Sequence, residues 1–135
     1  MGGEALTLQN EELDALWDHL WGIENRLTHG APLELSGRMC DLLRAAAPTV
    51  AISSATAETA LTSAESATVL LFEIRKRIRE GSNRINDALV RMYALQDSGD
   101  LDGARQQMQD VLAVEVVPLY REIAEGELAK LNGLS

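Results

Sequence analysis

Apolar residues between positions 70 and 96 recur at the spacing of a long amphipathic helix. Two interleaved series, each seven residues apart, form one seam: Leu71, Ile78, Ile85 and Met92, and Ile74, Gly81, Ala88 and Leu95. Another face carries three acid–base pairs four residues apart: Glu73–Arg77, Glu80–Arg84 and Asp87–Arg91. An acid four residues before a base is the better orientation for a helical ion pair, and each pair stabilises the helix by about 0.2–0.5 kcal/mol. The pattern predicts a helix of about eight turns with a buried seam and exposed arginines.

A second apolar stripe predicts an N-terminal helix from near Asn10 to Gly30. Its members follow 3-4-3-4 spacing: Leu13, Leu16, Leu20, Ile23 and Leu27. The serines that can cap the next three helices are Ser36, then Ser53 or Ser54, then Ser63 or Ser66. Pro48 is expected to end the second helix, and residues 50–52 predict a short extended link.

The C-terminal third predicts a helical hairpin. Ser98 and Gly99 end the long helix, and Asp100 caps a fifth helix that continues to about Leu131. A turn this short forces the two helices to run antiparallel. Pro118 is expected to kink the fifth helix. Gly81 is expected to allow the close approach of a neighbouring helix, because glycine otherwise costs a helix about 1 kcal/mol.

These elements predict an all-α fold. We expect residues 1–135 to form one domain, a bundle of four to five helices. Its centre is the long antiparallel hairpin of residues 64–131, against which helices within residues 10–62 pack. The chain's 135 residues, 46% hydrophobic and only 4% aromatic, suit helices packed through aliphatic side chains.

Charge and hydropathy limit the classes of partner. The net charge is −9, which disfavours nucleic acid as a general ligand. Residues 1–35 hold seven acids and one base, whereas residues 63–96 hold four acids and six bases. No apolar run approaches the roughly 18 residues of a membrane span, so we expect a cytoplasmic protein that does not enter membranes.

The sequence offers little metal or catalytic chemistry. Residues 98–103 resemble part of a calcium loop, but its first position is Ser98 and its twelfth is Gln109, so a capped turn is the favoured interpretation. His19 and His29 are too far apart to share a helical face, and Cys40 is the single cysteine. We therefore predict no metal, no cofactor and no enzymatic activity.

Trp17, Trp21 and Glu24 are the candidate partner-binding residues. The two tryptophans widen the apolar arc of the first helix to about 160°, more than one neighbouring helix covers. Core and interface roles stay open for both, with Trp21 at the edge of the arc expected to be the exposed one. Glu24 lies in the same arc and needs a basic partner or a solvated helix end. A symmetric homodimer is one form of association that this surface would support.

Several segments resemble the DUSAM domain, a paralogous family of small proteins found in myxobacteria. The resemblance covers about residues 33–130 and rests on residues 48–53, 75–82, 91–93, 99–105 and 111–120. It implies a family of unknown function with no catalytic motif to transfer to this chain.

Three functions follow in order of preference. The first is a non-enzymatic cytoplasmic protein–protein interaction module, either an adaptor or a regulator. The second is a small acidic inhibitor of the immunity or antitoxin type, whose acidic ends would mask a basic active site. The third, an enzyme or small-ligand-binding bundle, requires a cavity with convergent polar groups.

Overall fold

A computed structural model shows that the protein is all-α, as predicted, and describes residues 10–134. In that part of the chain there are six α-helices rather than four or five: α1 (Asn10–Thr28), α2 (Gly37–Ala46), α3 (Ser54–Ala60), α4 (Ala64–Asp97), α5 (Leu101–Val114) and α6 (Pro118–Gly133). A 3₁₀ helix, Ala47–Val50, follows α2. The contacts divide the chain into a first unit, Met1–Arg75, and a second unit, Lys76–Ser135. That residues 1–135 form a single domain stays a prediction.

Serine side chains begin three helices in the first unit, as the sequence predicted. Ser36 Oγ accepts a hydrogen bond from Met39 N before α2, at 3.1 Å. Ser53 Oγ accepts from Thr56 N before α3, and Ser63 Oγ accepts from the amide of residue 66 before α4, both also at 3.1 Å. These contacts satisfy amide donors that have no carbonyl partner inside the helix.

The apolar stripe of α1 turns inward, as predicted. Leu13, Leu20 and Ile23 are buried, and Leu16 and Leu27 are half-buried. Further residues of the first unit with no exposed surface come from α2, the 3₁₀ helix and α4: Leu43, Ala46, Ala47, Val50, Ala67, Leu71 and Ile74. The N-terminal part of the predicted α4 seam, Leu71 and Ile74, thus belongs to this core.

The extended link predicted for residues 50–52 is wrong. Val50 ends the 3₁₀ helix, and Ala51 adopts a left-handed conformation with φ 64°. Ile52 N then donates to Ala47 O at 2.9 Å, which closes a compact turn. Proline is tolerated in the first turn of a helix because its missing N–H has no partner there, so Pro48 fits the first turn of the 3₁₀ helix that follows α2.

The second unit contains an antiparallel pair formed by the end of α4 and by α5, as predicted. Gly99 has φ 88°, a value suited to glycine, and Asp100 Oδ1 accepts from Gly103 N at 2.9 Å to cap α5. Arg91 Nε donates to Gln107 Oε1 at 2.7 Å. Positions 91 and 107 lie equally far from Gly99, which is the register of a hairpin.

The single kinked helix predicted around Pro118 is instead two helices. α5 ends at Val114 and α6 begins at Pro118, with backbone in the extended region at Glu115 and Val117. Proline disfavours helical backbone at the residue before it and fits the first position of a new helix. The local preference of Pro118 therefore breaks the helix rather than bending it.

The seam of α4 is buried in the second unit at the predicted positions. Ile78, Ile85, Ala88 and Met92 are buried and Leu95 is half-buried. Of the arginines predicted to be exposed, Arg91 is exposed, whereas Arg77 and Arg84 are half-buried. Arg84 Nη1 lies 2.7 Å from Glu115 Oε1. The predicted pairing of Arg84 with Glu80 is therefore wrong. A buried carboxylate needs charge compensation more than an exposed one does.

Candidate interaction surface on helix α1

Trp17 belongs to the core of the first unit. Its side chain is 8% exposed, and its indole Nε1 donates to Thr49 Oγ1 at 3.1 Å. The Thr49 hydroxyl in turn donates to Ala46 O, the last carbonyl of α2. A buried indole N–H normally has such a partner, so Trp17 holds α1 against the 3₁₀ helix and is not accessible to a partner protein.

Glu24 has the basic partner that its position in the apolar arc required. Glu24 Oε1 accepts a hydrogen bond from Arg75 Nε at 3.0 Å. The two side chains are only 17% and 12% exposed, so this ion pair is largely withdrawn from solvent. Losing either partner would leave a poorly solvated charge, which makes Glu24 a structural residue of the first unit.

Trp21 is the one of the three predicted site residues that lies on the surface. Its side chain is 57% exposed, in agreement with its expected place at the edge of the arc. The structure thus separates the predicted set: Trp17 and Glu24 face the interior, and Trp21 faces solvent.

Trp21 is part of an exposed row along α1 that we call the α1 outer stripe. Its members are all exposed and have 3-4-3-4 spacing: Glu11, Asp14, Asp18, Trp21 and Asn25. Three carboxylates precede the indole, each about one turn from the next. The stripe was absent from the sequence-based prediction, which followed apolar residues only; the same spacing rule applied to polar residues identifies it.

A second exposed row runs along α4, and we call it the α4 outer stripe. It has the same 3-4-3-4 spacing, and its members are all exposed: Val69, Phe72, Lys76, Arg79 and Asn83. Lys76 and Arg79 lie in the segment of residues 63–96, in which bases outnumber acids. The structure adds the two apolar residues that precede them on the same face.

Two polar contacts at the surface hold helices together rather than form a reactive centre. Arg44 joins α2 to α3 through its Nε, 2.7 Å from Glu58 Oε2, and this hydrogen bond lowers the pKa of the Glu58 carboxyl. In the second unit Tyr93 Oη donates to Glu127 Oε1 at 2.9 Å, and that contact raises the pKa of Tyr93. The lone Cys40 is half-buried.

The loop that resembles a calcium site works as a helix cap. The Asp100 carboxylate accepts the Gly103 amide, and Asp102 Oδ1 lies 2.8 Å from Arg105 Nη1. Within residues 10–134 no group of three or more His, Cys, Asp or Glu side chains is placed to hold a metal ion. No helix in this part of the chain is both long enough and apolar enough to cross a membrane.

We expect calcium to leave the thermal stability of the protein unchanged. Two charged ligands of a calcium loop are missing, and both remaining aspartates have protein partners. The midpoint of thermal unfolding should be the same with about 1 mM calcium and with a chelator, because only a ligand of the folded state raises it. A rise of several degrees would show that residues 98–109 bind the ion.

The chain matches the family described as "Protein of unknown function (DUF2379)" over residues 15–131. This range includes Trp17, Trp21 and Glu24, both outer stripes except for Glu11 and Asp14, and all of the second unit up to Leu131. No curated protein and no solved structure matches the chain. The family description names no activity, so a functional hypothesis has to start from the surface of the protein itself.

Proposed function

The chain belongs to the DUF2379 family of proteins of unknown function, and we propose that it is a non-enzymatic protein–protein interaction module that binds its partner through α1. In this proposal it is a cytoplasmic adaptor or regulator. Its resemblance to the DUSAM proteins of myxobacteria supports the same interpretation, since that family brings no catalytic motif. The partner-binding residue is Trp21, and Trp17 and Glu24 hold the helix that presents it.

The exposure of Trp21 is the observation that carries the proposal. Tryptophan is enriched among the residues that contribute most to protein–protein binding. Trp17, one turn earlier, is buried and hydrogen-bonded, so its indole belongs to the core of the first unit and that of Trp21 does not. An indole left 57% exposed on a rigid helix retains apolar area that a partner can bury.

Affinity capture from lysate of the source cells tests the proposal. The bait proteins are the wild type, Trp21→Ala and a matched control, Val114→Ala, which removes a comparably exposed apolar side chain from α5. We expect the wild type and the control to retain at least one protein that Trp21→Ala retains at least tenfold less. A tenfold loss corresponds to about 1.4 kcal/mol of binding free energy. Identical retained proteins on all three baits would contradict the proposal.

The salt dependence of capture separates this proposal from the acidic-inhibitor alternative. The exposed carboxylates Glu11, Asp14 and Asp18 favour that alternative, because they would attract a basic active site. An inhibitor that acts mainly through charge should release its partner at about 1 M salt, where the screening length is about 3 Å. Capture through Trp21 should persist, because apolar burial is not screened by salt.

A further inference from the structure

The α1 outer stripe places three carboxylates beside an exposed indole. Glu11, Asp14, Asp18 and Trp21 are all exposed and follow one another at 3-4-3 spacing, over ten residue steps or about 15 Å of helix. Within residues 10–134, no hydrogen bond or ion pair of the structure involves any of these four side chains. This part of the surface therefore combines apolar area with negative charge that the described chain leaves unmatched.

The charge along α1 is one-sided. Before Trp21 the helix contains four exposed acids, no lysine and no arginine, and its one base, Arg26, lies in the last turn. Glu11 and Asp14 are three residues apart and Asp14 and Asp18 are four apart, so like charges face each other across successive turns, which destabilises a helix. A basic partner would remove this repulsion, so charge complementarity identifies the partner as cationic.

The bases have to come from another protein, because few bases of this chain are available. Residues 10–134 hold all twelve Lys and Arg residues, and every one except Arg26, Arg38 and Lys76 already interacts with another residue of the chain. Those three lie on three different helices, so a second copy offers no row of bases to face the carboxylates. Two chains of net charge −9 also repel each other.

The spacing of the carboxylates favours a helical partner. Successive members of the stripe are one helical turn apart, a repeat of about 5.4 Å. Another helix repeats its side chains at the same interval, whereas same-face residues of an extended strand repeat at about 6.6 Å and would lose register within the length of the stripe. A helix with one basic row therefore matches the α1 outer stripe over its whole length.

We propose that the α1 outer stripe binds a basic amphipathic helix of another protein. The bases of that helix would pair with Glu11, Asp14 and Asp18, and a large apolar side chain next to them would pack on the Trp21 indole. The inference rests on the proposed function, since it takes Trp21 as the binding residue, and it specifies the chemistry of the partner.

The spacing of the stripe also gives the sequence pattern of the partner. In antiparallel contact, an apolar residue opposite Trp21 is followed three, seven and ten residues later by bases opposite Asp18, Asp14 and Glu11. The antiparallel direction is favoured because each helix then carries its charges toward the end that suits its dipole. These are acids toward the N-terminus of α1 and bases toward the C-terminus of the partner.

A synthetic peptide with this pattern tests the inference. The probe is an alanine-rich helical peptide of about 20 residues with one leucine and three arginines in the pattern, and the control peptide has the same composition with its arginines spread around the helix. We expect the pattern peptide to bind the wild type at least tenfold more tightly than the control does in isothermal titration calorimetry. Its binding should also shift the emission of Trp21 to shorter wavelength, because Trp17 is already buried.

Variants of the protein assign the contact to the α1 outer stripe. Asp18→Lys and Trp21→Ala should each weaken binding of the pattern peptide at least tenfold. Glu34→Lys makes the same charge change at an exposed acid outside α1, and it should leave the Kd within threefold of wild type. A peptide with glutamate in place of the arginine opposite Asp18 should bind Asp18→Lys at least tenfold more tightly than it binds the wild type. Circular dichroism of each variant verifies that it is folded.

Salt separates the contributions of the carboxylates and of the indole. At about 1 M salt the screening length is about 3 Å, so the pattern peptide should bind more weakly than at about 0.15 M. The binding that remains should depend on Trp21, because apolar burial is not screened by salt. Capture from lysate should follow the same rule and persist at high salt only through Trp21.

Four results would overturn the inference. They are equal binding of the pattern and control peptides, equal weakening by Asp18→Lys and Glu34→Lys, failure of the glutamate peptide to prefer Asp18→Lys, and a wild type that uses Trp21 to form a dimer. Each differs from a failure of the proposed function, which capture from lysate decides. A lysate protein retained by Asp18→Lys but lost from Trp21→Ala would keep the proposed function and exclude a basic helix as the partner.

Discussion

Replacing Glu115 with alanine should lower the free energy of unfolding by about 2–4 kcal/mol. Residue Glu115 is 3% exposed, and its carboxylate accepts three hydrogen bonds, from Arg84 Nη1 at 2.7 Å, Val116 N at 3.1 Å and Val117 N at 3.0 Å. Alanine would leave the two amides without an acceptor at the break between α5 and α6. The loss is below that of a fully buried ion pair because the Arg84 side chain is 33% exposed and can reach water.

Chemical denaturation of two further variants separates the roles of this carboxylate. Glu115→Gln keeps an acceptor oxygen for the backbone amides but loses the charge, so its stability should lie between those of the wild type and Glu115→Ala. Glu125→Ala removes an exposed acid from α6 and should change the stability by less than about 0.5 kcal/mol. If Glu115→Ala were as stable as Glu125→Ala, the carboxylate would not hold the break together.

The features predicted correctly from the sequence are those decided within a few residues of chain. Ser36 caps α2 because its hydroxyl reaches an amide three residues later, and Asp100 caps α5 in the same way. Gly99 ends α4 through its own backbone conformation. The apolar spacing of α1 and α4 likewise identifies the buried face of each helix without knowledge of its neighbours.

The errors arose where distant residues or competing local preferences decide the outcome. Arg84 has Glu80 four residues earlier, yet it pairs with Glu115, which is 31 residues away in sequence and buried beside it. Helical periodicity relates residues three or four positions apart, so it could not predict that Arg84 pairs with Glu115 rather than Glu80. At Pro118 two local outcomes were available, a kink or a new helix start, and the new start is favoured because the Glu115 carboxylate accepts hydrogen bonds from the Val116 and Val117 amides at the break.

The candidate site shows the same division. The edge position of Trp21 on the helical wheel was enough to predict its exposure. The partners of Trp17 and Glu24, which are Thr49 and Arg75, lie 32 and 51 residues away, so the sequence could show that Glu24 needed a base but not which one. The spacing of the two outer stripes can be read from the sequence, but only the structure shows that their residues are exposed.

Gly81 and Gly126 are both helical glycines, and replacing them with alanine should have opposite effects. A Cβ at Gly81 would lie 2.5 Å from Tyr120 Cδ2 and 2.9 Å from Glu115 Oε2, whereas nothing lies within 4 Å of a Cβ at Gly126. Alanine favours a helix over glycine by about 1 kcal/mol at either position. At Gly126 that gain should appear as about 0.5–1 kcal/mol of added stability.

At Gly81 overpacking should outweigh the gain in helix propensity. Tyr120 is buried, so its ring can move away from a new methyl group only by displacing its neighbours, and such overpacking typically costs about 1–3 kcal/mol. We expect Gly81→Ala to be less stable than the wild type and about 1–3 kcal/mol less stable than Gly126→Ala in urea unfolding. The comparison cancels the propensity that both substitutions share, so the remaining difference reports the close approach of α6 to α4 within the second unit. Equal stabilisation by the two alanines would mean that Gly81 does not provide room for Tyr120.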